Sequence, residues 1–131
     1  MASRIQAINA YRPRIKLGRT VGTEDLVDFI ARSTGLNESG VRQVLLELRD
    51  ATIFFNSQGQ GVKLEGLGTY SPSIDLNGTI KIGHRADSSL KNALNAQGAF
   101  KGTIENRDAI GKTSDELVAQ WNADNPSDPV A

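Results

Sequence analysis

The chain has no cysteine, one histidine, one tryptophan and one methionine. Without cysteine there is no disulfide framework, no thiolate nucleophile and no thiolate-ligated zinc. With His84 as the only histidine, a three-histidine metal site within one chain is excluded, and no nucleophile–base pair can be assembled. The sequence therefore predicts a protein that is not an enzyme and takes no metal or cofactor. No apolar run approaches the roughly 18 residues of a membrane span. Residues Met1 to Ala10 are polar and lack the apolar centre of a signal peptide. A cytoplasmic location, without membrane contact, is the expectation. Aromatics are scarce at 5%, and there is no charge excess of either sign.

What is present is an ordinary soluble composition of 131 residues, 38% hydrophobic and 23% charged. The neutral total conceals segregation. Residues 1–22 hold Arg4, Arg12, Arg14, Lys16 and Arg19 with no acid. Residues 23–58 carry a net −3, residues 59–112 a net +2, and residues 113–131 a net −4. A neutral chain can thus present a basic face. Taken with the elements and the resemblance given below, the chain divides into a basic N-terminal extension (1–22), a central domain (23–97) and a C-terminal extension (98–131).

In the central domain Thr23 is a suitable N-cap, with Glu24 and Asp25 where the helix dipole favours acids. Leu26, Val27, Ile30 and Ala31 form an apolar stripe, and Gly35 ends this first helix. Asn37 caps a second helix reaching about Asn56, with Leu36 and Val41 at the spacing of a hydrophobic staple. Its main stripe is Val41, Val44, Leu45, Leu48, Ala51 and Phe55; Leu46, Ile53 and Phe54 widen it. A helix apolar on more than one side is buried on more than one side. Its second partner is either another element of the monomer or a second copy of the chain.

After Gly59 and Gly61 the period changes to two. Val62 and Leu64 alternate with Lys63 and Glu65, and Gly66-Leu67-Gly68 makes a corner into a second strand beginning Thr69-Tyr70. A third strand, Thr79 to Ile82, follows a hairpin. A two-residue Asn77-Gly78 turn would oppose Ile74 to Lys81. A three-residue loop, Leu76 to Gly78, instead sets Ile74 opposite Ile80 and Ser73 opposite Lys81, which matches the faces. A short helix from about Asp87 to Gln97, a strand around Phe100 to Ile104 and a last helix within 113–125 complete the pattern. Thr113 and Glu116 have capping-box spacing. The residues leave open whether Arg4 to Arg19 is a strand or a mobile arm.

This order resembles the HU and integration-host-factor family of bacterial chromosome-organising proteins. The resemblance is carried by "TEDLVDFIARSTGLNESGVRQVLLELRDAT" (Thr23 to Thr52), by "GVKLEGLGTYSPSI" (Gly61 to Ile74) and by "IKIGHRADSSLKNAL" (Ile80 to Leu94). The corner Gly66-Leu67-Gly68-Thr69-Tyr70 is its most specific part. It implies an α+β HU-like fold: an N-terminal helix pair plus a three-stranded antiparallel sheet with a hairpin arm, in an intertwined homodimer, here with an extra C-terminal helix. Interface residues would be Val44, Leu45, Leu48, Phe55, Leu67 and Tyr70. The family's long basic arm with a tip proline is here only "SIDLNGTIK", without arginine.

The implied function is architectural binding of double-stranded DNA in the nucleoid with little sequence specificity. Cations available to phosphates are Arg12, Arg14, Lys16 and Arg19, then Lys63, Lys81, Arg85 and Lys91. His84, beside Arg85, meets either phosphate or solvent. Trp121 either docks the last helix on its own domain or anchors a protein partner through the C-terminal helix. The alternative function is an HU-fold dimeric scaffold that has lost DNA binding. Gly111-Lys112-Thr113 is not a phosphate loop, since Asn106 stands where that loop needs glycine.

Overall fold

The computed structural model describes residues 1–131. Helix α1 (Arg4–Tyr11) and strand β1 (Arg14–Lys16) precede a helix pair, α2 (Thr23–Thr34) and α3 (Glu38–Ser57). Strands β2 (Val62–Leu64), β3 (Gly68–Ile74) and β4 (Ile80–Ala86) follow, then α4 (Ser88–Asn95), β5 (Thr103–Glu105), a 3₁₀ turn at Arg107–Ala109 and α5 (Ser114–Asp124). The chain divides into a central unit, Thr20–Phe100, and an end unit built from both termini, Met1–Arg19 with Lys101–Ala131. No helix is long and apolar enough to cross a membrane.

The central unit has the expected α+β architecture. Helix α2 starts one residue earlier than a Thr23 cap would give: the cap is Gly22, in extended conformation, whose N–H donates to the Asp25 carboxylate at 3.2 Å. Asp25 fills the role because a carboxylate at the third helical position can reach back to the cap. Gly35 ends the helix at φ 75°, and Asn37 caps α3 by accepting from the Ser39 N–H at 2.9 Å. Arg42 of α3 grips Glu24 of α2 with two bonds of 2.8 and 2.7 Å. That fork holds the Glu24 carboxyl below its usual range. Val27, Ala31 and Val41 are the buried apolar residues between the helices, with Ile30 and Leu45 packed partly against them.

Strands β2, β3 and β4 form an antiparallel sheet in that order. Ile74 pairs with Ile80 and Ser73 with Lys81, the register of the three-residue loop, and Gly78 is left-handed at φ 82°. The Asp75 carboxylate accepts from the N–H groups of Asn77 and Thr79 at 2.9 and 3.0 Å, closing the turn. Strand β4 runs four residues beyond the expected Ile82, because the whole length of β3 lies beside it to pair. The helix after it is shorter than Asp87 to Gln97: Asp87 is its cap, and Ala96 has left the helical region.

In the end unit Arg4 to Arg19 is neither a strand alone nor an arm. It forms α1 and then β1, which pairs antiparallel with β5, Ile15 opposite Ile104. The expected strand around Phe100 to Ile104 is shifted to Thr103–Glu105 by that pairing. Asn106, left-handed at φ 56°, donates from its amide to the carbonyls of Ala10 and Arg12 at 3.2 and 3.1 Å. Helix α5 is capped by Thr113, as its spacing predicts, at 3.2 Å from the Glu116 N–H. Ala2, Ala7, Ala109 and Leu117 are buried.

Candidate nucleic-acid and dimer interfaces

Successive strand residues point to opposite faces of a sheet. Register therefore aligns Lys63 of β2, Thr69 of β3 and Arg85 of β4 in one row on one face, with Ser71, Ser73, Lys81 and Gly83 on the same side. The other face carries Leu64 and Tyr70, which line a hollow with Leu45, Leu48 and Thr52 of α3. The Lys63 face is thus the one turned away from the helix. Lys63, Arg85 and Lys91 line a shallow hollow of about 300 Å³ together with Thr69, Ala86, Asp87 and Ser88.

Asp87 is bound into the start of α4, accepting from the N–H and hydroxyl of Ser89 at 2.8 and 2.6 Å. The Ser89 hydroxyl, then its N–H and the Lys63 charge, keep the Asp87 carboxyl below its usual range. Three cations therefore share this hollow with one carboxylate already committed to a helix cap. Lys81 differs from them: its ammonium lies 3.8 Å from Asp75, so its charge is partly answered within the hairpin.

His84 does not accompany Arg85. It is on the opposite face, where its ring lies 4.6 Å from that of Tyr70. A Cβ at Gly68 would fall 2.5 Å from His84 Nε2 and 2.6 Å from the Arg85 carbonyl oxygen. The corner glycine is thus required by close approach of the neighbouring strand.

The remaining sequence-predicted cations are in the end unit. Arg12 ends α1, its N–H on the Ile8 carbonyl at 2.9 Å, and its side chain is exposed. Arg14 and Lys16 lie on β1, and Arg14 Nε is 3.1 Å from Glu105 Oε2. Arg19 is exposed beyond β1. Arg4 bonds Asp115 of α5. Sequence reasoning missed that Lys101, Arg107 and Lys112 share this unit, because the pairing of β1 with β5 spans the whole central unit. Trp121 is taken up within the end unit: its ring meets Tyr11 edge-on at 6.3 Å, and its N–H bonds the Asp128 carbonyl at 2.8 Å.

Five of the six apolar candidates, all but Phe55, line two adjoining hollows that share Leu45. Val44 is 66% exposed, Phe55 44% and Leu67 46%; Leu45, Leu48 and Tyr70 are half-buried. Phe54, Ile53 and Leu36, outside the named set, are also at least half exposed. One hollow of about 380 Å³, nearly all apolar, is lined by Ile30, Leu36, Gly40, Val41, Val44 and Leu45. A second of about 410 Å³ continues along α3 by Leu45, Leu48 and Ile53 to Leu64, Leu67 and Tyr70. Apolar surface on this scale is seldom left to water in a stable monomer.

Comparison with known proteins bears on the whole arrangement. The HU-HIG family, described as an HU domain fused to wHTH, Ig, or Glycine-rich motif, matches residues 5–106. The chain belongs to the HU-HIG family. The match reaches beyond the stretch from Thr23 to Leu94 that carries the resemblance in sequence, taking in α1, β1 and β5. Among solved structures, a mutant of HU from Thermotoga maritima aligns at 15% identity and a TM-score of 0.48, covering 55% of this chain and 96% of that one. No curated protein matches the chain. The reading of a divergent HU-like protein with added terminal segments is borne out.

Proposed function

We propose that this HU-HIG protein is a homodimeric, non-enzymatic architectural protein that binds duplex DNA in the nucleoid with little sequence preference. The observation that carries the reading is the in-register row of Lys63, Thr69 and Arg85 on the open face of the sheet, with Lys91 beside it. Cations set on rigid strands displace counterions from phosphates without reading bases. Lys81 continues that face, and Arg12, Arg14, Lys16 and Arg19 supply a second basic element.

The dimer reading rests on burial. Of its apolar side chains Thr20–Phe100 buries only Val27, Ala31 and Val41, while Val44, Phe54, Phe55 and Leu67 are exposed. So small a core does not offset the conformational entropy of ordering the unit. A second copy laid on α3 and on the Leu67–Tyr70 corner supplies the missing burial and doubles each cation. The short hairpin has Leu76 fully exposed at its tip and Ile74, Ile80 and Ile82 exposed along one face. That observation favours the second reading, a dimeric scaffold joining proteins, over any arm that clamps DNA.

A labelled duplex titrated at about 50 mM salt, with the dimer verified by light scattering, separates the two. Binding is expected, and with about six phosphates neutralised log affinity should fall against log salt with a slope near −5. Loss of most of that binding in the triple variant K63Q/R85Q/K91Q would fix it on the sheet. Absence of binding by a verified dimer would leave the scaffold.

A further inference from the structure

We propose that the end unit is a second phosphate-binding surface, held closed by carboxylates of the chain's own C-terminal segment; this rests on the DNA reading above. The N-terminal segment brings five cations and no acid to this unit. On the β1–β5 ribbon, register puts Arg14 opposite Glu105 and Lys16 opposite Thr103. Alternation gathers these four on one face and sends Ile15 and Ile104 to the other. The face is thus two cations, a hydroxyl and one carboxylate, and that carboxylate is 3.1 Å from Arg14. Asp115, at the start of α5, engages Arg4 in the same way.

The unit does not need these carboxylates to hold its shape. Its two halves are joined by the backbone ladder of β1 and β5, by the Asn106 amide on Ala10 and Arg12, by the Tyr11–Trp121 contact and by buried Ala7 and Leu117. The two ion pairs are exposed, with Arg14 and Glu105 at 52% and 44% and Arg4 and Asp115 at 52% and 85%. Exposed pairs of this kind are weak and screened by salt. A duplex presents closely spaced phosphates, so it can take Arg14 and Arg4 from their carboxylates where a single anion cannot. Glu105 and Asp115 then set how much DNA is needed before the end unit joins the sheet in binding.

The test uses the full-length chain and the same duplex. E105Q and D115N, singly and together, should bind more tightly, the double variant by about tenfold at about 50 mM salt. Its log–log salt dependence should steepen by about two to four, since each freed arginine occurs twice in a dimer. E116Q removes the carboxylate next to Asp115 in the same turn of α5, outside the two ion pairs named above, and should gain far less. E105Q/R14Q should return to the wild-type value, showing that the gain runs through Arg14. Wild-type binding with E105Q and D115N no better than E116Q overturns the proposal and leaves the DNA reading intact. No binding by any variant at low salt overturns both.

Discussion

Gly68 is the residue on which the sheet's corner turns. A methyl there meets a ring nitrogen and a backbone oxygen at under 3 Å, and the oxygen belongs to a paired strand that cannot easily move. Gly68→Ala is therefore expected to destabilise by about 1–3 kcal/mol, read as a lowered midpoint in thermal or urea unfolding. His84→Ala added to it should recover only part, since the Arg85 carbonyl remains. Asp87 offers a test by pH. Its carboxyl titrates lower in the folded chain than in the unfolded one, so its contribution is present above the unfolded value and vanishes as pH falls through the folded value. Asp87→Asn should be less stable than wild type at neutral pH, with the difference closing as acid protonates the wild-type group. The Gly66 to Tyr70 corner was legible as a motif. Its cause was not, because His84 and the Arg85 carbonyl reach Gly68 through a register that no local pattern encodes.

Among the elements, the hairpin was readable to the residue and α1 was not. Only one loop length brings Ile74 to Ile80 and Ser73 to Lys81, so matching of faces decided the turn. Gly78→Ala, at φ 82° in open space, should cost about 1 kcal/mol through backbone strain alone, with the register kept. Helix α1 offers no comparable signal: Ile5, Ala7, Ile8 and Ala10 make no clear stripe, and Ile5 is 72% exposed. It is a helix because α5 packs on it and Tyr11 meets Trp121. Trp121 is the only tryptophan, so its fluorescence reports on the end unit. Tyr11→Ala should lower the fluorescence-detected midpoint by removing both the ring contact and the hydroxyl bond to Asp124 at 2.7 Å.

For the whole molecule, the wide apolar face of α3 was visible before any fold was known, and it led to the expectation of a second copy. The small size of the core was not visible, since periodicity says which residues are apolar and not how deeply each is covered. If a partner supplies the missing burial, the unfolding midpoint should rise with protein concentration. Leu48→Glu should then yield unfolded chain rather than a stable folded monomer, as measured by circular dichroism and light scattering together. The distribution of charge was half legible. The basic first segment and the acidic last one stood out in sequence, but only the fold brings them into one body, where Arg4 meets Asp115 and the N-terminal amine meets Asp128 at 3.1 Å.

That meeting has a mechanical side. The N–H of Ala2 bonds the Pro129 carbonyl at 3.2 Å, and Ala2 bridges Val130, so the first and last residues of the chain emerge beside each other. The end unit is thus fastened across its two halves without a covalent bond. Tension applied between the two termini is carried first by the fastening. The load passes to the end unit, α1 against α5, before it reaches any residue from Thr20 to Phe100.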